Sequence, residues 1–421
     1  MVNSGINKLK ILNDPVHGFI KIPTAFIYDL LEDPWFQRLR FIKQLGLTDM
    51  VYPGATHSRF LHSLGALHLM NQALAVLRNK DIQISDEEYE AALIAILCHD
   101  LGHGPFSHSL EFNISGKISH EDISLVVMKI LNEKYGGKME RAISMYSGTY
   151  PRKFFNDLIS SQLDMDRLDY LLRDSFYTGV IEGSVGSDRI ISMLNTSGNR
   201  LVVEEKGVYS IEKFLIARRF MYWQVYMHKT VLAADQMLKR IINRARFLIE
   251  NGRKVRSTVP VDYFIRTGIH REEIMNFHNR EFAGMFFKLD DNELISSVRQ
   301  WVDNEDSILS DLAEAFLYRR LPSIVLSGQP FDEEMISEKK EALDKLNDFR
   351  SGDTASYIYA GCISNHTYAP AAPSIRILMK DGSLKELTEL SNILRHEVLS
   401  KNNTRYYLCY PKDLRDHVGK V

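Results

Sequence analysis

The amino-acid sequence predicts a mainly α-helical fold, in which a multi-helix core carries a small β-hairpin and is followed by a C-terminal α+β lobe. Three observations support this prediction. Hydrophobic residues recur at helical spacing between residues 20 and 255, residues 199–210 have the pattern of a hairpin, and beyond about residue 256 short helices are followed by β-rich runs. We therefore expect a helical core over residues 1–255 and an α+β lobe over residues 256–421.

Local signals define the first helices of this core. Pro34 suits a first helical position, and Gly46 closes the same segment. Ser85 and Glu88 have the spacing of a capping box, in which each residue satisfies a free backbone N–H group of the other. The helix that starts there has an apolar face and delivers a histidine and an aspartate at residues 99–100.

The next segment must leave the helix, because residues 101–105 contain two glycines and a proline. The histidines that follow are therefore expected on a turn. After the hairpin at residues 199–210, the spacing of apolar residues predicts one long helix from Ile211 toward Gly252.

Composition and charge exclude several classes of protein. The 421 residues are 45% hydrophobic and 25% charged with a net charge of −2, which excludes a disordered chain and broad nucleic-acid binding. The three cysteines, Cys98, Cys362 and Cys409, are too few and too far apart for a disulfide framework. The longest apolar run, residues 91–98, falls far below the roughly 20 residues of a membrane helix. We expect a cytoplasmic protein with no membrane partner.

Histidines are concentrated in one part of the chain. Seven of the fourteen lie between residues 57 and 120, and one of them forms the adjacent pair His99-Asp100. Histidine and aspartate side chains also occur in the strings at residues 56–65 and 163–170. A mixed set of nitrogen and oxygen ligands suits a divalent ion such as Mn, Fe, Ni, Zn or Mg. The sequence thus predicts a metal site within residues 57–175.

Three long strings, at residues 13–18, 36–46 and 98–108, are similar to motifs of the HD-domain phosphohydrolases. The similarity is greatest to the deoxynucleoside triphosphate (dNTP) triphosphohydrolase branch that contains the bacterial dGTPases, and it continues to about residue 230. This resemblance implies a helical HD-domain core. It also implies four metal ligands, namely His62, His99, Asp100 and Asp166.

The same resemblance implies which residues take part in catalysis. His108 and Glu111 are three residues apart at the expected start of a helix, so that the carboxylate can orient the imidazole. By similarity this pair protonates the departing 5′ oxygen, although the family has Asp at the position of Glu111. His103 and His120 correspond to the remaining active-site histidines and are expected at the α-phosphate.

Substrate-binding residues are expected on two helices. Asp166, Tyr170 and Asp174 follow an i, i+4, i+8 spacing and so share one helical face. The resemblance assigns Tyr170, Asp174 and Gln44 to the 3′ hydroxyl, and places Leu45 and Tyr226 near the 2′ carbon, where ribonucleotides are excluded.

Three arginines complete the expected substrate site, because a guanidinium group suits phosphate oxygens. They are Arg59, Arg167 and Arg218, which we expect to hold the triphosphate. His57 and His68 are expected to support packing.

We predict hydrolysis of dNTPs to a deoxynucleoside and inorganic triphosphate. Two alternatives remain, an HD phosphohydrolase that acts on another nucleotide and a catalytically idle nucleotide sensor. The resemblance also implies a homo-oligomer, because relatives often assemble as dimers or tetramers and bind an activating nucleotide between subunits. The residues that resemble that site are Lys10, Gln37, Arg40, Arg189 and Arg319. Glu32 replaces an Asp of the family pattern, and the C-terminal half matches poorly, so that activation by a nucleotide and its absence both stay open.

Overall fold

A computed structural model describes residues 10–106, 118–267, 280–345, 356–365, 374–391 and 403–412. It confirms the mainly α-helical class with small sheets. The α-helices in the described ranges are, in chain order, α1 Ala25–Leu31, α2 Pro34–Gln37, α3 Arg59–Asn79, α4 Asp86–Leu97, α5 His120–Lys134, α6 Glu140–Tyr146, α7 Phe154–Ile159, α8 Met165–Thr178, α9 Ser187–Ser192, α10 Val208–Met221, α11 Lys229–Glu250, α12 Val259–Arg266, α13 Arg280–Lys288, α14 Asp291–Trp301, α15 Ser307–Leu317, α16 Glu333–Lys345 and α17 Leu387–Leu390.

Three small sheets accompany the helices. The strands are β1 Ile11–Asp14, β2 Gly18–Lys21, β3 Leu194–Ser197, β4 Arg200–Glu204, β5 Ser323–Ser327, β6 Tyr359–Asn365, β7 Arg376–Leu378, β8 Leu384–Glu386 and β9 Asn403–Tyr410. Strands β1 and β2 form an antiparallel hairpin, β3-β4-β7-β8 form a four-stranded sheet, and β5-β9-β6 form a three-stranded sheet. Strand β7 pairs with β4 in parallel, which joins the C-terminal part of the chain to the helical core.

Helix α3 lies at the centre of the main core and is buried along most of its length. It packs against α4 and α8, the two helices that carry the other histidine and carboxylate candidates. Among the described helices, α3 alone is long and apolar enough to cross a membrane, but most of it is buried inside the fold. Its apolar character is therefore explained by its place in the core.

One hydrophobic cluster extends across the predicted division at residue 255. It includes Leu67 of α3 and Leu238 of α11, and it continues through Phe264, Trp301 and Phe316. The division into 1–255 and 256–421 remains a proposal. The packing nevertheless ties residues 259–317 closely to the helical core.

Two local predictions are confirmed at the ends of α2 and α4. Pro34 is the first residue of α2, and Asp33 caps it by accepting from the Trp35 N–H group. Ser85 and Glu88 form the complete capping box of α4. This helix ends at Leu97, and its C-cap residue Cys98 directly precedes the histidine and aspartate pair.

The segment expected to run as one helix from Pro34 to Gly46 is broken instead. It continues after α2 as a 3₁₀ turn, Arg38–Phe41, and then becomes extended at Ile42. The extended backbone lets the Ile42 carbonyl accept from the Arg59 N–H group at 2.9 Å. Tertiary hydrogen bonding to the start of α3 thus replaces the helix.

The expected long helix from Ile211 to Gly252 is also interrupted. A π-helical turn, Tyr222–Tyr226, follows α10, and His228 is extended and caps α11 by accepting from the Thr230 N–H group at 3.2 Å. The hairpin exists but lies a few residues earlier than residues 199–210. Its strands β3 and β4 are joined at Gly198, whose positive φ of 59° is accessible to glycine.

Candidate active site

Four predicted metal ligands converge from three helices. His62 lies in the first turn of α3, His99 and Asp100 directly follow α4, and Asp166 lies in the first turn of α8. The Nε2 atoms of His62 and His99 are 3.3 Å apart, and Asp166 Oδ1 lies 3.1 Å from the first and 3.7 Å from the second. One ligand atom each from His62, His99 and Asp166 lies within 4.8 Å of the others, and Asp100 lies beside this group with its Oδ1 atom 3.2 Å from His99 Nε2.

The tautomers of the two histidines show what this point can hold. His99 Nδ1 donates to the carbonyl oxygen of Ile96 at 2.6 Å, and His62 Nδ1 donates to Asp169 Oδ2 at 2.8 Å. In the neutral imidazoles both Nε2 atoms therefore carry lone pairs that face each other and two carboxylates. A proton or a metal cation can be shared by such a set of electron-pair donors, and its nitrogen and oxygen composition fits a divalent metal ion.

The electrostatics of the cluster lead to the same conclusion. Burial lowers the pKa of His62, but hydrogen bonds to Asp166 and Asp169 and nearby negative charge outweigh burial and raise this pKa to about 10. Burial raises the pKa of Asp166, yet the facing histidines His62 and His99 lower it overall. The pocket has an excess of negative potential, which a bound cation would neutralise.

Sequence reasoning missed the network that supports His62. Asp169 is fully buried and accepts from His62, from Arg173 Nε at 2.9 Å, and from His17 Nε2 at 2.6 Å. Arg173 in turn donates to Asp14 Oδ2 at 2.7 Å, which ties the β1–β2 hairpin to the centre. The available signal was the i, i+4 spacing of Asp169 and Arg173 on α8, but spacing alone does not name their partners.

The predicted catalytic histidines His103 and His120 are brought together beside the metal ligands. Their rings stack with centroids 3.9 Å apart, and His103 Nε2 lies 3.3 Å from Asp100 Oδ1. Burial and the charges of Arg59 and His120 hold the pKa of His103 well below its ordinary value, so this imidazole is neutral. His108 and Glu111 fall outside the described residues, and their pairing stays a prediction.

The predicted sugar-binding residues form a second cluster along α8. Asp174 Oδ2 accepts from the Tyr226 hydroxyl at 2.7 Å, and its Oδ1 accepts from His57 Nε2 at 2.9 Å. The rings of Tyr170 and Tyr226 meet edge to face with centroids 6.1 Å apart. His57 is buried and stacked on Tyr177, so it supports packing as expected and also orients Asp174.

The loop between α2 and α3 carries the remaining sugar candidates. Gln44 is buried, and its Oε1 atom has no hydrogen-bond partner within the part of the chain that the structure describes. Leu45 follows and packs, partly buried, against the main core. A buried amide oxygen without a partner is costly unless a ligand supplies a donor.

The three predicted phosphate arginines all contact protein groups. Arg59 is buried and donates to Asp100 Oδ2 at 2.6 Å, so it braces a predicted metal ligand. Arg167 pairs with Asp164, the residue that caps α8, and Arg218 Nη1 donates to the side chain of Gln162 at 3.2 Å. The last two arginines also act on Tyr170, because their charges oppose the rise in its pKa caused by burial.

The residues that resemble an activating-nucleotide site occupy separate elements. Gln37 Oε1 accepts from Arg40 Nε at 2.6 Å at the end of α2, and Lys10 lies over the Tyr28 ring. Arg189 lies on α9, and Arg319 follows α15 with its Nε donating to the carbonyl oxygen of Met50 at 2.7 Å. His68 is packed beside His17 with ring centroids 5.3 Å apart, in agreement with a packing role.

Comparisons with known proteins show that the candidate site lies within a known domain family. The HD domain family matches residues 59–173, and the HD associated region matches residues 185–258. A crystal structure of a phosphohydrolase from Bacteroides thetaiotaomicron VPI-5482 is 44% identical with a TM-score of 0.91, and the match covers 96% of this chain and 100% of that one. Bacillus subtilis YwfO is 33% identical over 98% of this chain and 94% of its own length.

A more distant relative has a named activity. Human deoxynucleoside triphosphate triphosphohydrolase SAMHD1 is 29% identical over 62% of this chain and 49% of its own length. The chain thus spans about half the length of that relative. The convergent histidine and aspartate cluster, the HD domain match and the similarity over nearly the full chain lead to one conclusion. This chain belongs to the HD-domain phosphohydrolase family.

Proposed function

We propose that the protein is a metal-dependent dNTP triphosphohydrolase, which cleaves a dNTP into a deoxynucleoside and inorganic triphosphate. The observation that carries this proposal is the face of α8 that presents Asp166, Tyr170 and Asp174. These residues are one and two helical turns apart, or about 6 and 12 Å along the axis, which the sugar and α-phosphate of a nucleotide can span. The names of the human and Dictyostelium discoideum relatives support the same substrate class.

The metal ligands in this proposal are His62, His99, Asp100 and Asp166. A divalent ion bound there supplies activation of a water molecule and polarisation of a phosphoryl oxygen. The chain itself contributes the alignment of the ligands. Arg59 holds Asp100 through a buried ion pair, so the carboxylate keeps its orientation when a charged substrate enters.

Around the α-phosphate we assign roles to four side chains. His103 is neutral, and its stacking on His120 fixes the direction in which the two rings can donate hydrogen bonds to phosphate oxygens. Cleavage of the bond between the α-phosphorus and the 5′ oxygen leaves an alkoxide that must take up a proton. His108, paired with Glu111, is the proposed proton donor.

For the sugar we propose that Asp174, Tyr170 and Gln44 bind the 3′ hydroxyl. Asp174 is held from two sides by His57 and Tyr226, so its position does not depend on the ligand. The unpartnered Oε1 atom of Gln44 would accept the hydroxyl proton.

Two further contacts complete the proposed substrate site. Leu45 and the ring of Tyr226 would lie against the 2′ carbon and exclude a 2′ hydroxyl. Arg59, Arg167 and Arg218 would bind the triphosphate. Each arginine would then share its present contact, which is with Asp100, Asp164 and Gln162 respectively, with a phosphate oxygen.

We also propose that the chain forms homo-oligomers and that an activating nucleotide binds between subunits. The resemblance of Lys10, Gln37 and Arg40 to that site supports this assignment, and Gln37 and Arg40 are hydrogen-bonded to each other. Measuring molar mass in solution with and without added dNTPs tests it. A mass that is monomeric under both conditions would contradict the proposal.

The main proposal is tested by incubating the purified protein with each dNTP, each matched ribonucleotide and each of Mn, Fe, Ni, Zn and Mg. Chromatography of the products separates the alternatives. We expect the protein to release triphosphate from dNTPs and not to hydrolyse ribonucleotides. Pyrophosphate, orthophosphate or activity on another nucleotide class would identify a different HD phosphohydrolase, and binding without turnover would identify a sensor. His99→Ala and Asp166→Ala are expected to lose both metal and turnover.

A further inference from the structure

A buried carboxylate outside the metal centre holds two loops of the active site. Asp291, the first residue of α14, is 5% exposed. Its Oδ1 accepts from the backbone N–H group of Phe106 at 2.8 Å, and its Oδ2 accepts from the backbone N–H group of Lys43 at 3.0 Å. Phe106 ends the described part of the loop that carries His103, and Lys43 precedes Gln44.

Arg38 makes a second connection between the same elements. It is buried, and its Nε and Nη2 atoms donate to the carbonyl oxygen of Leu289 at 3.0 and 2.6 Å. Its Nη1 atom donates to the carbonyl oxygen of His103 at 2.9 Å, and its guanidinium lies 4.4 Å from the centre of the Phe286 ring. The loop from His103 to Phe106 is therefore held at both ends. Arg38, which is bonded to Leu289, holds His103, and Asp291 holds Phe106.

The backbone at Phe106 shows that this hold is needed. Phe106 has a positive φ of 49°, a left-handed conformation that costs a non-glycine residue about 1–3 kcal/mol. Its side chain is buried in the main hydrophobic core. The hydrogen bond from its N–H group to Asp291 is the polar contact that fixes the peptide in place.

Asp291 is also an unfavourable residue for stability alone. Burial raises its pKa from the ordinary 3.8 to about 6, even though the N–H groups of Lys43 and Phe106 favour the charged form. A neutral asparagine would avoid the cost of a buried charge, but it could accept from only one of the two N–H groups. A destabilising buried charge that bridges two active-site loops is expected where geometry matters more than stability.

We propose that Asp291 and Arg38 are positioning residues for catalysis, through which the C-terminal lobe sets the distance between the His103 loop and the Gln44 loop. This inference rests on the proposed function, because those loops are assigned to the phosphate and the sugar. Neither residue bonds to the four metal ligands in the described contacts. We therefore expect a change at either residue to affect turnover more than metal binding.

Two adjacent, isosteric substitutions test this proposal. In Asp291→Asn the side-chain NH₂ group must face one of the two N–H donors, so one connection is lost. The matched control is Asp290→Asn, which removes one negative charge from the same helix start. Asp290 caps α14 by accepting from the Asn292 and Glu293 N–H groups, and asparagine caps a helix equally well.

For Asp291→Asn we expect kcat to fall by about tenfold to a hundredfold, because a displaced loop misaligns the reacting groups. We expect KM and the Kd for Mn²⁺ to stay within about threefold of the unmodified protein, and Asp290→Asn to retain its kcat. Hydrogen exchange gives a readout that does not depend on turnover. Exchange in peptides that contain Lys43 and Phe106 should accelerate in Asp291→Asn and not in Asp290→Asn.

Three outcomes would overturn the proposal. They are equal kcat values in the two variants, unchanged exchange at Lys43 and Phe106, and a loss of Mn²⁺ binding that accounts for the loss of turnover. If Asp291→Asn does not fold, Arg38→Lys provides the second variant. The ammonium group of lysine lacks the planar, forked guanidinium group with which Arg38 bonds to Leu289 and His103 at the same time. If the unmodified protein hydrolyses no dNTP, the proposed function fails, while the exchange measurement still decides the positioning role.

Discussion

Replacing Gly65 by alanine tests whether the close approach of α3 and α8 builds the metal centre. Gly65 lies in α3, one turn after His62, and faces Asp169 and Arg173 of α8. A Cβ atom at this position would come closer than 3.0 Å to side-chain atoms of both residues, a separation that real Cβ atoms do not show. Asp169 and Arg173 are fully buried and cannot retreat into solvent.

The size of the effect follows from two opposing contributions. Alanine is a better helix former than glycine by about 1 kcal/mol. Separating Asp169 from Arg173 leaves a buried charge without its partner, which costs about 3–5 kcal/mol. We therefore expect Gly65→Ala to lower the free energy of unfolding by about 2–4 kcal/mol. Because Asp169 also orients His62, metal affinity should fall as well.

Gly284→Ala is the matched control, because Gly284 lies in helix α13 and a Cβ atom there meets nothing within 4 Å. This variant should gain up to about 1 kcal/mol from helix propensity. Urea unfolding of both variants and of the unmodified protein, with and without Mn²⁺, measures the difference. If Gly65→Ala is as stable as Gly284→Ala and binds Mn²⁺ normally, the argument from close helix packing is wrong.

Three other substitutions have defined outcomes. Asp169→Asn should weaken Mn²⁺ binding by about 10–100-fold in calorimetry, because His62 loses its carboxylate partner, and unchanged affinity would contradict this role. Tyr226→Phe removes the hydroxyl that donates to Asp174, so kcat/KM for a dNTP should fall about fivefold, equivalent to about 1 kcal/mol for one hydrogen bond, while the ring still excludes ribonucleotides. Asp291→Asn should change the pH dependence of stability. The folded-state pKa of Asp291, about 6, lies above the ordinary 3.8, so the folded state binds more protons between these values and stability falls as pH rises through that range. From pH 4.5 to 7 the unmodified protein should lose about 2 kcal/mol relative to Asp291→Asn in urea unfolding, and a constant difference would refute the assignment.

The four predicted metal ligands were inferred from the resemblance to the HD-domain phosphohydrolases, and local sequence rules placed some of them on the fold. The capping box at Ser85 fixes where α4 starts, so its length places His99 and Asp100 at its end. The i, i+4, i+8 spacing on α8 likewise puts Asp166, Tyr170 and Asp174 on one face by helical periodicity alone. Local rules suffice when a helix itself sets the geometry.

The supporting residues were not predictable by the same rules. Asp164, Asp166 and Asp169 stand within six residues of each other, yet one caps α8, one faces His99, and one orients His62. His17 reaches Asp169 from 152 residues away. Which carboxylate meets which partner depends on how α3, α8 and the β1–β2 hairpin pack, and no periodicity encodes that packing.

The two interrupted helices show a related limit. Residues 38–42 have a helical pattern, but the backbone turns extended at Ile42 because its carbonyl bonds to the start of α3. The interruption lets the Lys43 N–H group bond to Asp291 and places Gln44 in the loop of the proposed sugar site. Local helix propensity is overridden at both breaks, and each break lies at a proposed substrate residue. The break before α3 is close to Gln44, and the π turn contains Tyr226. Departures from the sequence pattern thus coincide with the parts of the fold that position the candidate site.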